Sequence, residues 1–342
     1  MDLVNILNTI RANASAAYQD RIPEATRTNI EDIRYAMIDD NNIMVANEFM
    51  ATLLNKLVKS VVHTKRFNNP LKSLKRGTKP LGDSVEEVYN NFLKGQSFNS
   101  NSGASMMERN LPDTKTVYHR TNYKQTYKVT VSREALSKAF VSYDALESYI
   151  TNLINQLYNS AELDEFINMK QILKAAYDAK AMKIVNVPDP LLGEAQGKEF
   201  IKSVKTASGL MAFPNSDWNA YLTAQTTDNK PIITFSRKEE QVLIIDTATD
   251  TSVAVDVLAS TFNMTVAEFN DTRKIIIDTF PIPGARAALV DEAFFQIWDD
   301  LVTIANWRNP ESLYDNYYLH IWQTIAFSIL VNAVLFEVAD AA

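Results

Sequence analysis

The 342-residue chain carries 34 basic and 41 acidic side chains, a net charge of −7. A general nucleic-acid binder is basic, so any contact with DNA has to be local or weak. There is no cysteine, which excludes disulfides and thiolate metal sites and suits a reducing cytoplasm.

The first residues, MDLVNILNTIRANASAA, faintly mimic a secretory leader, but Asp2 replaces the positive charge, and Asn5 and Asn8 interrupt the apolar run, so secretion is not expected. The first sixty residues read as mostly helical. From Lys65 to Lys79 six basic residues occur with no acid: Lys65, Arg66, Lys72, Lys75, Arg76 and Lys79. The sign then flips to Asp83, Glu86 and Glu87. Residues 80–131 read as an excursion of two long strands, roughly Leu81–Phe98 and TKTVYHRTNYKQTYKVTV, where Tyr127, Val129 and Val131 alternate with polar residues. The Ser/Asn/Gly-rich stretch 96–107 between them reads as a mobile tip.

From Asp144 to Met182 the chain has no Gly or Pro, and Leu146, Ile150, Leu153, Leu157, Ala161, Phe166, Met169, Leu173 and Ala176 recur at helical steps. Asp144 with Glu147 gives a start like a capping box. The spacing predicts one long amphipathic helix, on the order of 60 Å at 1.5 Å per residue, with a candidate break near Asn159–Ser160. VNVPDPLLGEAQG, 185–197, reads as a Pro/Gly linker. Beyond it EQVLIIDT is a buried strand, VAVDVLASTFNM and TVAEF are helical, and RKIIIDTF and AALVDEAFFQIW are strands. NYYLHIWQTIAFSILVNAVLFEV has the composition of sheet. Its run 325–336 is too short to span a bilayer and holds Ser328 and Asn332, so it reads as a buried element.

Catalytic patterns are missing. His63, His119 and His320 fit no metal-ligand spacing. LGEAQGKEF lacks the first Gly and the hydroxyl of a phosphate loop, with Leu192 and Glu199 at those places. The acidic pairs Asp39–Asp40, Glu86–Glu87, Glu239–Glu240 and Asp299–Asp300 point different ways on a strand or helix and read as solvated. Tyr314, Tyr317, Tyr318 and Trp322 could stack bases, but core or interface is the stronger reading for such rings. No catalytic residue, metal or cofactor is expected.

Five stretches agree in order and spacing with one family: NNPLKSLKRGTKPLGDSVEEVY, LPDTKTVYHR, AFVSYDALESYITNLINQLYNSAELDEF, VDVLASTFNM and RNPESLYDNYYLHIWQT. From about residue 55 onward the chain resembles the major capsid proteins of the small short-tailed phages typified by phi twenty-nine. The resemblance implies the α+β fold of Hong Kong 97-type phage capsid proteins. It also implies segments: an N-terminal arm (1–64), an extended loop (65–132), a peripheral domain with a long spine helix (133–197), an axial domain (198–308) and strands returning to the peripheral domain (309–342). The founding relative has a C-terminal immunoglobulin-like domain that this sequence, ending at Ala342, does not include.

The function implied is a head protein that self-assembles, through pentamers and hexamers, into an icosahedral or prolate shell around double-stranded DNA. Implied partners are a scaffolding protein, a portal or connector and non-specific DNA contact, with no membrane, and assembly in the bacterial cytoplasm. The alternative is a cytoplasmic nucleic-acid-binding protein or enzyme using the basic segment 65–79. Because carboxylates adjoin the basic run, we expect Lys72, Lys75, Arg76 and Lys79 to face acids such as Glu86 and Glu87 between subunits.

Overall fold

The structure, a computed structural model, describes residues 3–38, 45, 48, 49, 52, 67–79, 84–95, 109–132, 143–224, 230–253, 273–309 and 314–338. The expected loop tip and, apart from Val253, the expected helices in 253–269 lie outside the described residues, as do Lys65, Arg66, Asp83 and His63. The chain divides into two compact units. One comprises Met1–Asn69, Asn122–Glu165 and Asp299–Gln323, the other Pro70–Thr121, Phe166–Trp298 and Thr324–Ala342.

The first unit begins with three helices, α1 (Leu3–Asn13), α2 (Ala16–Arg21) and α3 (Ile30–Ile38). Leu7, Ile10, Tyr18, Ile22 and Ile33 are buried between them. Asn8, which breaks the apolar run of a leader, has a structural task. Its amide brackets the Ala25 backbone, accepting from N–H at 2.7 Å and donating to C=O at 3.0 Å. Ser15 caps α2 by accepting from Tyr18 N–H.

The hairpin strands of the second unit follow a short strand β1 (Gly77–Thr78). They are β2 (Ser84–Asn90) and β3 (Thr114–Arg120), which pair antiparallel from Ser84↔Arg120 to Asn90↔Thr114. The second long strand expected from sequence is therefore two. It breaks at Thr121–Asn122, and β4 (Tyr123–Ser132) belongs to the first unit.

The long helix exists as α4 (Tyr143–Asp178), 36 residues or about 54 Å. It is unbroken at Asn159–Ser160, where the Ser160 hydroxyl donates to the Gln156 carbonyl of the preceding turn at 2.8 Å. The linker expected at 185–197 is structured. β5 (Lys183–Val187) is a strand, Pro190–Leu192 makes a 3-10 turn capped by Asp189, and Gly193 precedes α5 (Glu194–Met211). The Pro and Gly there punctuate element ends.

After the short α6 (Tyr221–Ala224) come β6 (Gln241–Asp246), α7 (Thr247–Ser252), β7 (Arg273–Ile277) and β8 (Ala285–Asp291). The run AALVDEAFFQIW is not one strand. The Asp291 side chain accepts from Ala293 N–H at 2.8 Å, turning the chain through a 3-10 helix (Glu292–Phe294) before β9 (Phe295–Asn309). The last strands are β10 (Tyr314–Phe327) and β11 (Ala333–Val338).

A five-stranded mixed sheet, β5-β11-β8-β6-β7, centres the second unit. β6 is buried at every position because the sheet is covered on both faces. Alternation then sorts its side chains. Val242 and Ile244, with Ala288, Val290 and Leu335, pack with Phe166, Met169, Ile172, Leu173 and Ala176 of α4. Leu243 and Ile245, with Ala287, Leu289, Val334 and Phe336, pack with Phe200, Ile201, Val204, Ala207 and Met211 of α5.

Beside this core lies a buried polar network. Asn219 donates to Thr234 at 2.9 Å, Thr234 to Asn332, Asn332 to Ser236 at 3.2 Å, and Ser236 to Asp291. Burial pushes the Asp291 carboxyl above its ordinary range, against the hydrogen bonds from Ser236 and Ala293.

A second sheet has the order β1-β9-β10-β4. Within the first unit β10 pairs antiparallel with β4, from Tyr314↔Ser132 to Gln323↔Tyr123. One face is buried, with Val129, Val131, Tyr317 and Leu319. On the same side Tyr127 donates to Asp164 of α4 at 2.7 Å, and Gln323 donates to Glu165 and Asp299 at 3.0 and 2.9 Å.

Candidate assembly surface

The basic stretch is held by two apolar anchors. Leu71 and Leu74 of the 3-10 helix Pro70–Leu74 are 0% and 3% exposed, and they leave Lys72 and Lys75 half-buried and Arg76 exposed. The backbone of Arg76 donates to Ile297 O at 2.9 Å, which sets β1 alongside β9. Gly77 has φ +104°, a left-handed conformation costly for a side-chain-bearing residue. The Lys79 ammonium donates to Thr121 Oγ1 at 3.2 Å, within its own subunit.

Glu86 and Glu87 diverge, as adjacent strand residues must. Glu86 is exposed and accepts from the Tyr118 hydroxyl at 3.0 Å. That bond raises the Tyr118 pKa. Glu87 is not the solvated residue that its place in an acidic pair suggested. It meets Nε2 of buried His119 at 3.0 Å and accepts from the hydroxyl of buried Ser328. Ser328 also donates its N–H to Phe294 O at 2.8 Å. This cluster fastens the base of the β2–β3 hairpin to the chain between β10 and β11. Toward its far end, Tyr89 donates to Ile233 O and Asn91 donates to Asp113 at 3.1 Å and to Pro231 O at 3.0 Å. Lys115 and Asn91 hold the Asp113 carboxyl below its ordinary range. Apolar side chains stay outside here, with Leu93 78% and Leu111 81% exposed.

Of the aromatic cluster near the end, Tyr317 is core. Tyr318 and Trp322 face outward under lysines: Lys124 Nζ lies 4.4 Å from the Trp322 ring centroid and Lys128 Nζ 5.8 Å from that of Tyr318. His320 Nδ1 is 2.9 Å from Thr126 Oγ1. Its ring stacks on Tyr318 at 6.4 Å. Sequence reasoning passed over Lys124 and Lys128, although their alternation along β4 was visible. Among the described residues no group of three or more His, Asp or Glu could hold a metal, and no helix is long and apolar enough to cross a membrane.

Comparison with known proteins identifies the arrangement. The sequence profile of the Phi29-like phage major capsid protein family matches residues 7–337. The major capsid protein of Bacillus phage PZA is 33% identical over 341 residues, 98% of this chain and 73% of the relative. That of Bacillus phage B103 is 32% identical with the same coverage, and that of Streptococcus phage Cp-1 is 26% identical over 99% of this chain and 95% of its own. In fold the chain is similar to a chain in the capsid structure of Staphylococcus phage Andhra, at TM-score 0.64 and 13% identity over 81% of this chain and 86% of the other. A chain in the capsid of cyanophage P-SCSP1u gives TM-score 0.53 at 10% identity, over 82% and 91%. These likenesses give the α+β fold of Hong Kong 97-type phage capsid proteins, and nothing supports the nucleic-acid-binding enzyme. The chain belongs to the Phi29-like phage major capsid protein family: it is a structural head protein, not a member of an enzyme family, and its copies build the virion capsid.

Proposed function

We propose that the chain forms the shell through pentamers and hexamers in the host cytoplasm. A scaffolding protein, a portal and non-specific contact with the packaged double-stranded DNA complete its partners. In this reading residues 1–64 act as the arm, 65–132 as the extended loop, 133–197 as the peripheral domain with its spine, 198–308 as the axial domain and 309–342 as returning strands. The β2–β3 hairpin supports the loop assignment.

Charge complementarity between subunits steers the contacts. The observation that carries this is an exposed Arg76, beside half-buried Lys72 and Lys75, and an exposed Glu86 ten residues further along the chain. Lys79, bonded to Thr121, and Glu87, bonded to His119, also hold the hairpin base. Each exposed pair is worth about 0–1 kcal/mol, and a closed shell repeats it at every equivalent contact.

Changing Lys72, Lys75 and Arg76 together to Glu tests the reading. The subunit is expected to keep its far-UV circular dichroism and to form no shells by negative stain. Normal shells that package less DNA would move these residues to the nucleic acid and overturn the interface assignment.

A further inference from the structure

We infer that the outward face of the β4–β10 pair is a phosphate-contact surface for the packaged duplex. The inference rests on the proposed reading of a shell around double-stranded DNA and names the surface that would touch it. Along β4 the outward positions are Lys124, Thr126, Lys128 and Thr130; opposite them on β10 stand Trp322, His320, Tyr318 and the buried Asn316. None of these eight residues is acidic, in a chain of net charge −7. All four β4 side chains are exposed.

The way the two lysines are held separates them from the lysines that sit on acids. Lys115, Lys170, Lys174, Lys198 and Lys274 each sit on a carboxylate, Asp113, Asp278, Asp178, Glu194 and Asp250 respectively. Such a pair cancels the charge. Lys124 and Lys128 have no carboxylate partner among the described residues and rest on aromatic rings. A ring quadrupole fixes an ammonium in place without neutralising it, so its charge stays available to an anion. Thr130 donates to Asn316 at 2.7 Å and Thr126 bonds His320, so side chains as well as backbone tie the two strands together.

The same geometry selects the partner. Lysines lie over the Tyr318 and Trp322 rings, so the face offers charge to phosphates in preference to bare rings for base stacking. Four residues of extended strand separate Lys124 from Lys128 by about 13 Å, close to the ~12 Å major groove of B-DNA. Lysines on an edge strand ordinarily deter strand pairing by projecting past the edge; these fold back over the sheet face.

The test uses the soluble subunit and a short linear DNA duplex, with affinity followed by fluorescence anisotropy between about 50 and 200 mM salt. Replacing both residues, Lys124→Gln and Lys128→Gln, should lower the log–log salt slope by about 1.8, two phosphate contacts at about 0.9 each. The control Lys174→Gln with Lys198→Gln should leave the slope unchanged. An unchanged slope in the first variant overturns the inference, and if its shells are also lost the face belongs to another copy of the chain. A control that falls equally overturns it too, because the effect would then be net charge. Should the double variant lose its circular dichroism, Thr126→Lys reads the same face, with a steeper slope expected and an unchanged slope overturning the inference. Failure of the wild type to form shells counts against the shell reading and leaves the slope measurement standing.

Discussion

Glu86 and Glu87 share a strand and differ in what surrounds them. Replacing Glu87 by Ala strands the buried His119 ring and the buried Ser328 hydroxyl, and is expected to cost about 1–3 kcal/mol in urea unfolding. Glu86→Ala loses one exposed bond to Tyr118 and should stay within about 0.5 kcal/mol. Equal losses would mean that the hairpin base is not closed by Glu87. Asp291 gives a pH signature. Burial raises its folded-state pKa. The fold therefore favours the protonated carboxyl, and this contribution is present at low pH and fades as pH climbs from about 4, the unfolded value, through the raised folded value. Asp291→Asn removes the titration. The stability difference, wild type minus variant, should fall as pH rises across that window. A flat difference would show that the carboxyl titrates normally in the fold.

The long helix was legible because period 3.6 survives over its whole length, and its inner face is decisive: Leu173 and Ala176 are 0% exposed, whereas Ile167 is 42% exposed. Leu173→Ala is expected to cost about 2–5 kcal/mol by opening a cavity against the sheet, and Ile167→Ala much less, measured by thermal unfolding. Continuous apolar runs such as VLIID read correctly as buried strand because both faces of the sheet are covered. The linker at 185–197 misled because Pro and Gly signal a chain direction change without saying whether elements continue on either side. The break at Thr121–Asn122 was hidden since β3 and β4 share one alternating pattern and differ only in their partners, β2 and β10. Partner choice is set by tertiary packing, which period-2 spacing does not encode. The hairpin-base cluster escaped for the same reason: Ser328 lies 241 residues from Glu87.

For the whole molecule, steering by exposed charges predicts a salt response. The Debye length shrinks from about 10 Å at 0.1 M to about 3 Å at 1 M, so the rise of light scattering during wild-type assembly should slow as salt is raised. A salt-independent rate would shift the driving force to apolar contacts such as Leu93 and Leu111. The interleaving of the two compact units has its own consequence for synthesis. Each unit is built from three separate segments, and the first is complete only when Asp299–Gln323 arrives, long after Asn122–Glu165 has left the ribosome. Neither unit can close as a contiguous piece on a nascent chain. β10 supplies the strand that pairs with β4, so the β4 edge waits through the translation of well over a hundred residues for its neighbour. At roughly 5–20 residues per second, that interval is many seconds in which a half-made subunit lacks part of the sheet. Through that interval the unpaired β4 edge is a template for strands of neighbouring chains, so the order of synthesis leaves this edge as the nascent subunit's exposure to aggregation.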